Sequence, residues 1–198
     1  MGSRNTLPYT RHKKKWTEKK DCLSMFQKLN LSIDSTKLEK LQGNLTFSYD
    51  DEYGIFAEYQ VTDIQYFFKS IKSQIQFNIE PTQSNITVIE KSGAFVPHTD
   101  VWSTALNFYI HASGEVTEFY KNPSGHKIEV EGSGGLHVYD KSKLELEGRF
   151  CANAGDCYLL DTHRPHSVTN YHNGSRKILR LIWMNSDFNT VLNSIILL

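Results

Sequence analysis

From about Thr87 to Met184 the chain is a procession of short apolar or alternating runs. They read "TVIEKSG", "TALNFYIH", "EVTEFYKN", "GGLHVYD", "KLELEGRFCANAGD", "CYLLDTHRP", "HSVTNY" and "RKILRLIWM". Gly, Asn, Asp and Pro fill the gaps between them. Many short strands divided by turn residues predict an all-β sandwich or barrel. This pattern constrains the fold more than anything else in the sequence.

The flanks are mixed. "DSTKLEKLQGN" reads as a short helix capped by Asp34 or Ser35 and stopped at Gly43. "GIFAEYQV" has the β-branched and aromatic content of a strand. In "TDIQYFFKSIKSQI", Ile64, Phe67, Phe68, Ile71 and Ile75 recur at helical spacing, with Thr62 or Asp63 as N-cap. After Met184, "SDFNTVLNSIILL" turns helical again, with Phe188, Val191, Leu192, Ile195 and Ile196 on one face. That helix is expected to pack on the sheet, and its apolar end also suits a homodimer interface. The expected class is therefore mainly β with flanking helices. Its organisation is a basic segment over 1–20 and one domain over 21–198, whose β core spans about 87–184 and whose helical end spans 186–198.

Charge is balanced overall at 22 basic and 22 acidic residues, but unevenly spread. Residues 1–20 hold seven Lys or Arg and one Glu, which leaves 15 basic and 21 acidic residues for the rest. The run "RHKKKWTEKK" reads as a solvated terminus that could touch a polyanion. The acidic body argues against a broad nucleic-acid-binding face. No apolar run reaches the length of a membrane span, and no signal peptide is visible. The three cysteines, Cys22, Cys151 and Cys157, cannot all pair with one another and form no CxxC, which favours a reduced, cytoplasmic setting.

The chemistry concentrates in three places. In "FVPHTDVW", His98 and Asp100 sit two apart on a strand and so share a face. Alone the pair is unspecific, because a satisfied buried histidine is commoner than a ligand. In "AGDCYLLDTHRPHSVTN", His166 could meet that pair if the two strands are neighbours. Two histidines and a carboxylate occupy one triangular face of an octahedral metal and leave three positions open, which suits non-haem Fe(II). A structural zinc site would want a closed tetrahedron, usually with cysteine, and these cysteines are not spaced for it. Arg176 follows His166 by ten residues at the start of the next strand. Its guanidinium suits a fork-shaped grip on a carboxylate, and Arg180, on the same strand face, could do the same job. For either arginine the alternative is an ordinary surface ion pair.

These residues carry a family resemblance. The stretch from about Thr87 to Met184 resembles the double-stranded β-helix (jelly-roll, cupin-like) core of the Fe(II)/2-oxoglutarate-dependent dioxygenases. That core has HxD or HxE, then a distal His, then Arg or Lys on the last core strand. Here these are "HTD" at 98–100, His166 and Arg176. The surroundings of His166, "GD.YLLDT..PHSVTN", are closest in flavour to the aspartyl/asparaginyl β-hydroxylase and free-proline hydroxylase group. The resemblance covers about half of the chain.

The resemblance implies that His98, Asp100 and His166 ligate Fe(II), and that Arg176 binds the distal carboxylate of 2-oxoglutarate. O2 takes the remaining position. The implied reaction hydroxylates an unactivated C–H of an amino acid, peptidyl residue or small metabolite and releases succinate and CO2. Asn107 and Tyr109 fall where this group places co-substrate contacts, and both side chains can hydrogen-bond a carboxylate. Ordinary strand packing explains them equally well. Trp102 shares the face of His98 and Asp100, so it either lines the pocket or packs in the core. His163 is the weaker histidine of its loop, since Pro165 rigidifies the approach to His166. His111, His126, His137 and His172 fall near turns and are expected to be exposed.

Two other readings stay open. A cupin-like metalloenzyme without 2-oxoglutarate would leave Arg176 facing solvent. A non-catalytic β-sandwich binding module would leave His98, Asp100 and His166 apart.

Overall fold

Four antiparallel ladders nest inside one another and decide the architecture. The chain is described by a computed structural model over residues 24–198, apart from 32–33, 42, 52–53, 63, 91–94, 113, 123, 126, 130–136 and 170–174. The basic segment, Cys22, Asp63, His126 and His172 lie outside the described residues.

Before the core come β1 (Phe26–Leu29), α1 (Ser35–Glu39), β2 (Gly43–Asp51), β3 (Gly54–Val61), α2 (Ile64–Ile71) and β4 (Ile75–Phe77). The core runs through β5 (Gln83–Glu90), β6 (Phe95–Thr99), β7 (Thr104–His111) and β8 (Val116–Lys121). It passes two short strands, β9 (Ile128–Glu129) and β10 (His137–Val138). It then returns through β11 (Glu145–Cys151), β12 (Cys157–Asp161), β13 (His166–Thr169) and β14 (Arg176–Trp183). Helix α3 (Phe188–Ser194) and β15 (Ile195–Leu197) close the chain.

The pairs are β5 with β14, β6 with β13, β7 with β12 and β8 with β11. Successive pairs alternate between two sheets, so a single long antiparallel ribbon is wrapped into a double-stranded β-helix, a jelly roll. One sheet has the order β1-β12-β7-β14-β5-β3-β2, the other β11-β8-β13-β6-β10-β9. The wrap thus begins at Gln83, slightly earlier than the sequence reading placed it.

Strand alternation divides β14 between two environments. Leu179, Leu181 and Trp183 face outward into the larger hydrophobic cluster with Phe67, Phe108 and Val191. Ile178 faces inward to Tyr109, Phe119, Phe150 and Leu160. Helix α2 lies on the outer face, where Phe67 meets Phe108 edge-on at 4.9 Å. Each such fully buried side chain contributes about 1.5–3 kcal/mol of transfer free energy. Polar residues are buried as well, among them Thr87, Asn107, Glu115, Thr117 and Arg176.

The helix caps behave as their sequences require. Asp34 accepts from the Thr36 backbone N–H, and Asp187 accepts from that of Thr190. The turn at "AGD" places Gly155 at φ 87°, a conformation that side chains resist, and leads into β12.

Two expectations about the flanks are corrected. Helix α2 ends at Ile71, and Ile75 lies in β4, although it is buried in the same cluster. The terminal helix stops at Ser194, and Ile195–Leu197 form a strand paired with β4. A β-branched pair offered an open strand edge gains a ladder there that a fraying helix end does not provide. No helix among the described residues is long and apolar enough to cross a membrane.

Candidate functional site

Strand β13 lies between β8 and β6, and its register sets His166 opposite His98 on one side and Phe119 on the other. A register shift between His98 and Phe95 shows that β6 bulges before the histidine. Asp100 follows just past the strand end, its N–H bonded to the Thr162 carbonyl. His98, Asp100 and His166 thereby converge, with their donor atoms all within 4.8 Å of one another. Asp100 stands 3.7 Å from His98 Nε2 and 3.8 Å from His166 Nε2. The three side chains are 14%, 11% and 8% exposed, so the cluster is sheltered yet reachable.

Both imidazoles are oriented from behind. His98 Nδ1 is 2.8 Å from the Val96 carbonyl, and His166 Nδ1 is 3.0 Å from the Arg164 carbonyl. A carbonyl only accepts, so each Nδ1 carries a proton and each Nε2 is the ring nitrogen turned to the cluster. Arg164 is itself pinned, donating from Nη1 to Glu147 at 2.7 Å and pairing with Asp161 at 3.3 Å. His166 stacks on Phe119 at 5.6 Å. Burial, with the neighbouring His98 adding to it, pushes the His166 pKa down to about 4, so the imidazole is neutral at pH 7. Two imidazoles and one carboxylate make a donor set that fits a divalent iron-type ion with an open side.

Deeper between the sheets, Arg176 is 3% exposed. Its Nη2 donates to the Tyr109 hydroxyl at 3.3 Å, and its Cζ lies 5.3 Å from the Tyr109 ring centroid. The sequence-selected pair is thus brought together. Sequence reading missed the third member, Glu115, which is 1% exposed and makes an ion pair with Arg176 Nε at 3.1 Å. A glutamate beside a turn reads as exposed. The available signal was alternation, since Glu115, Thr117 and Phe119 share a face and Phe119 is apolar.

Asn107 is 2% exposed and lies opposite Arg180 rather than Arg176. Arg180 is half-buried, with its Cζ 5.4 Å from the Trp102 ring centroid. Trp102 is half-buried as well, with its Nε1 buried. His163 is exposed and outside the cluster. His111 is exposed and pairs with Glu39, whereas His137 is half-buried, contrary to expectation, because β10 docks it against Thr99. Cys157 is fully buried, and that burial drives its thiol pKa well up, away from reactivity.

No family model matches the chain, and no curated protein matches it. Several solved structures are similar in fold. A non-heme alpha-ketoglutarate-dependent epimerase of nogalamycin biosynthesis, SnoN, is 11% identical with a TM-score of 0.49, over 81% of this chain and 78% of that one. Vicilin from Capsicum annuum is 14% identical with a TM-score of 0.39, over 68% of this chain and 29% of the vicilin. Oxalate decarboxylase from Lactobacillus farciminis is 16% identical with a TM-score of 0.37, over 81% of this chain and 34% of that enzyme. The chain spans less than a third of the length of the vicilins. The jelly-roll assignment rests on the nested ladders themselves.

Proposed function

We propose that this protein is an Fe(II)- and 2-oxoglutarate-dependent oxygenase. It hydroxylates an unactivated C–H bond of a small-molecule or peptidyl substrate and releases succinate and CO2. The observation that carries this reading is the convergence of His98, Asp100 and His166 on one side of a sheltered interior.

The chain's own residues have definite tasks. His98 and His166 offer Nε2 lone pairs because their Nδ1 protons are held by backbone carbonyls. Asp100 supplies the negative charge. With all three donors grouped within 4.8 Å of one another, a bound ion would keep positions free for a co-substrate. Bound iron with 2-oxoglutarate would supply the oxidising chemistry, while the protein supplies orientation and shelter. Arg176 and Tyr109 would hold the distal carboxylate through N–H and O–H donors, in a place where low exposure strengthens charge-assisted hydrogen bonds.

A cupin-like metalloenzyme that works without 2-oxoglutarate is the second reading. The Glu115–Arg176 pair favours it, since a guanidinium already facing a carboxylate attracts another less strongly. The burial of Arg176 speaks the other way, because that reading leaves the side chain in solvent.

The deciding experiment adds 2-oxoglutarate to anaerobic, Fe(II)-loaded protein. A weak visible metal-to-ligand charge-transfer band is expected. Its absence, in protein shown calorimetrically to hold iron, would favour the second reading.

A further inference from the structure

Around Arg180 the interior is polar and incompletely satisfied. Arg180 makes no ion pair and no hydrogen bond among the described residues, and its buried Nε has no acceptor. Its guanidinium lies over the Trp102 ring at 5.4 Å, and the Trp102 Nε1–H is also buried without an acceptor. Asn107, directly opposite Arg180 across the β7–β14 ladder, has its Oδ1 buried without a donor. On the other side of Arg180, Asn85 is engaged with Glu58 at 3.0 Å and closes that flank. Buried polar groups in native proteins are nearly always partnered, and leaving one unpartnered is costly. Three orphans, one on the guanidinium itself and two beside it, describe a place shaped for a polar guest.

The chemistry of the orphans defines that guest. Two are donors, one of them cationic, and they call for an anionic oxygen pair. Asn107 supplies an acceptor beside them. The arrangement lies next to the candidate metal centre, since Trp102 follows Asp100 by two residues and carries the Arg180 guanidinium over its ring. It is separate from the Arg176 end. The two arginines are four residues apart on one face of β14, roughly 13 Å along the strand, and they face different neighbours, Arg176 meeting Glu115 and Tyr109 and Arg180 meeting Trp102.

We propose that Arg180, Trp102 and Asn107 form a substrate subsite for a small carboxylic acid that carries a hydrogen-bond donor, hydroxyl or amino, beside its carboxylate. This rests on the proposed function for the assignment of the co-substrate to Arg176. The division of labour is then one arginine for each acid: Arg176 for 2-oxoglutarate, Arg180 for the substrate.

Ligand binding to the full-length protein tests it without turnover. Lactate, alanine and propionate are titrated in turn, following the tryptophan emission that differs between the protein and its Trp102→Phe variant. Lactate or alanine is expected to perturb that signal with at least ten-fold higher affinity than propionate, which lacks the donor. Arg180→Gln is expected to weaken this binding at least ten-fold, with Arg180→Lys recovering part of it. Arg176→Gln is expected to leave it unchanged. Calorimetric titration of 2-oxoglutarate should show the reverse dependence, and far-ultraviolet circular dichroism confirms that each variant is folded.

Equal binding of all three acids, or binding indifferent to Arg180→Gln, overturns the subsite. If 2-oxoglutarate itself needs Arg180, the subsite falls while the oxygenase reading stands. If 2-oxoglutarate binds nowhere but lactate or alanine still depends on Arg180, the oxygenase reading falls and the subsite stands.

Discussion

His98 and His166 sit directly opposite each other on β6 and β13, with ring centroids 4.5 Å apart. They are 68 residues apart in the chain. The nested ladder makes them neighbours, and Asp100, held by its N–H on the Thr162 carbonyl, completes the group. Most of the site's behaviour follows from this one pairing.

Divalent metal binding should depend on all three side chains. His98→Ala, Asp100→Ala and His166→Ala are each expected to lower Fe(II) affinity at least about a hundred-fold, the upper end of what is lost when only a supporting partner is removed. Anaerobic calorimetric titration measures this. An affinity unchanged in any one variant removes that residue from the ligand set.

The metal-free protein should lose stability on acidification. Native His166 has a pKa of about 4, below the ordinary value of 6.5 that it recovers on unfolding. Between those values the unfolded chain binds a proton that the native chain refuses. Stability from this group is therefore intact above about pH 6.5 and falls as pH drops toward 4, by about 3 kcal/mol in all. Urea denaturation across that pH range should show the decline, and His166→Gln should flatten it.

Replacing Glu115 by Gln should unmask Arg176. The buried guanidinium loses a counter-charge at 3.1 Å, and the expected cost is about 3 kcal/mol. A co-substrate carboxylate can then supply the missing charge. The thermal stabilisation produced by 2-oxoglutarate is accordingly expected to be larger in Glu115→Gln than in the parent, as read by differential scanning calorimetry.

Two core truncations should separate stability from site geometry. Phe119 and Leu179 are both 0% exposed, on opposite faces of the fold's layers. Phe119→Ala should cost about 3–5 kcal/mol and Leu179→Ala about 2–5 kcal/mol in urea denaturation. Only Phe119 stacks on His166, so only its variant should also weaken metal binding, by about ten-fold.

Much of this was legible before any coordinates. "GIFAEYQV" and "TALNFYIH" are strands β3 and β7 to the residue, because β-branched and aromatic runs bounded by turns have few other ways to bury themselves. The Asp34 cap was readable for a similarly local reason. Ile75 and Ile195 were misplaced because helical spacing and strand pairing compete there, and only a partner strand decides between them. Arg164 and Glu115 escaped notice because their roles lie in what they touch across the fold.

The sequence by itself determined the donor types and their faces, since a strand's period of two puts His98 and Asp100 on one side wherever that strand goes. It equally placed Arg176 and Arg180 on one face of β14. Tertiary structure alone decided which strand lies beside which. That choice brought His166 to His98, gave Glu115 to Arg176, and left Arg180 over Trp102 with its buried Nε unpartnered among the described residues. The physical reason is that alternation is a property of one strand, whereas register and pairing are settled by how a whole ribbon buries its apolar faces.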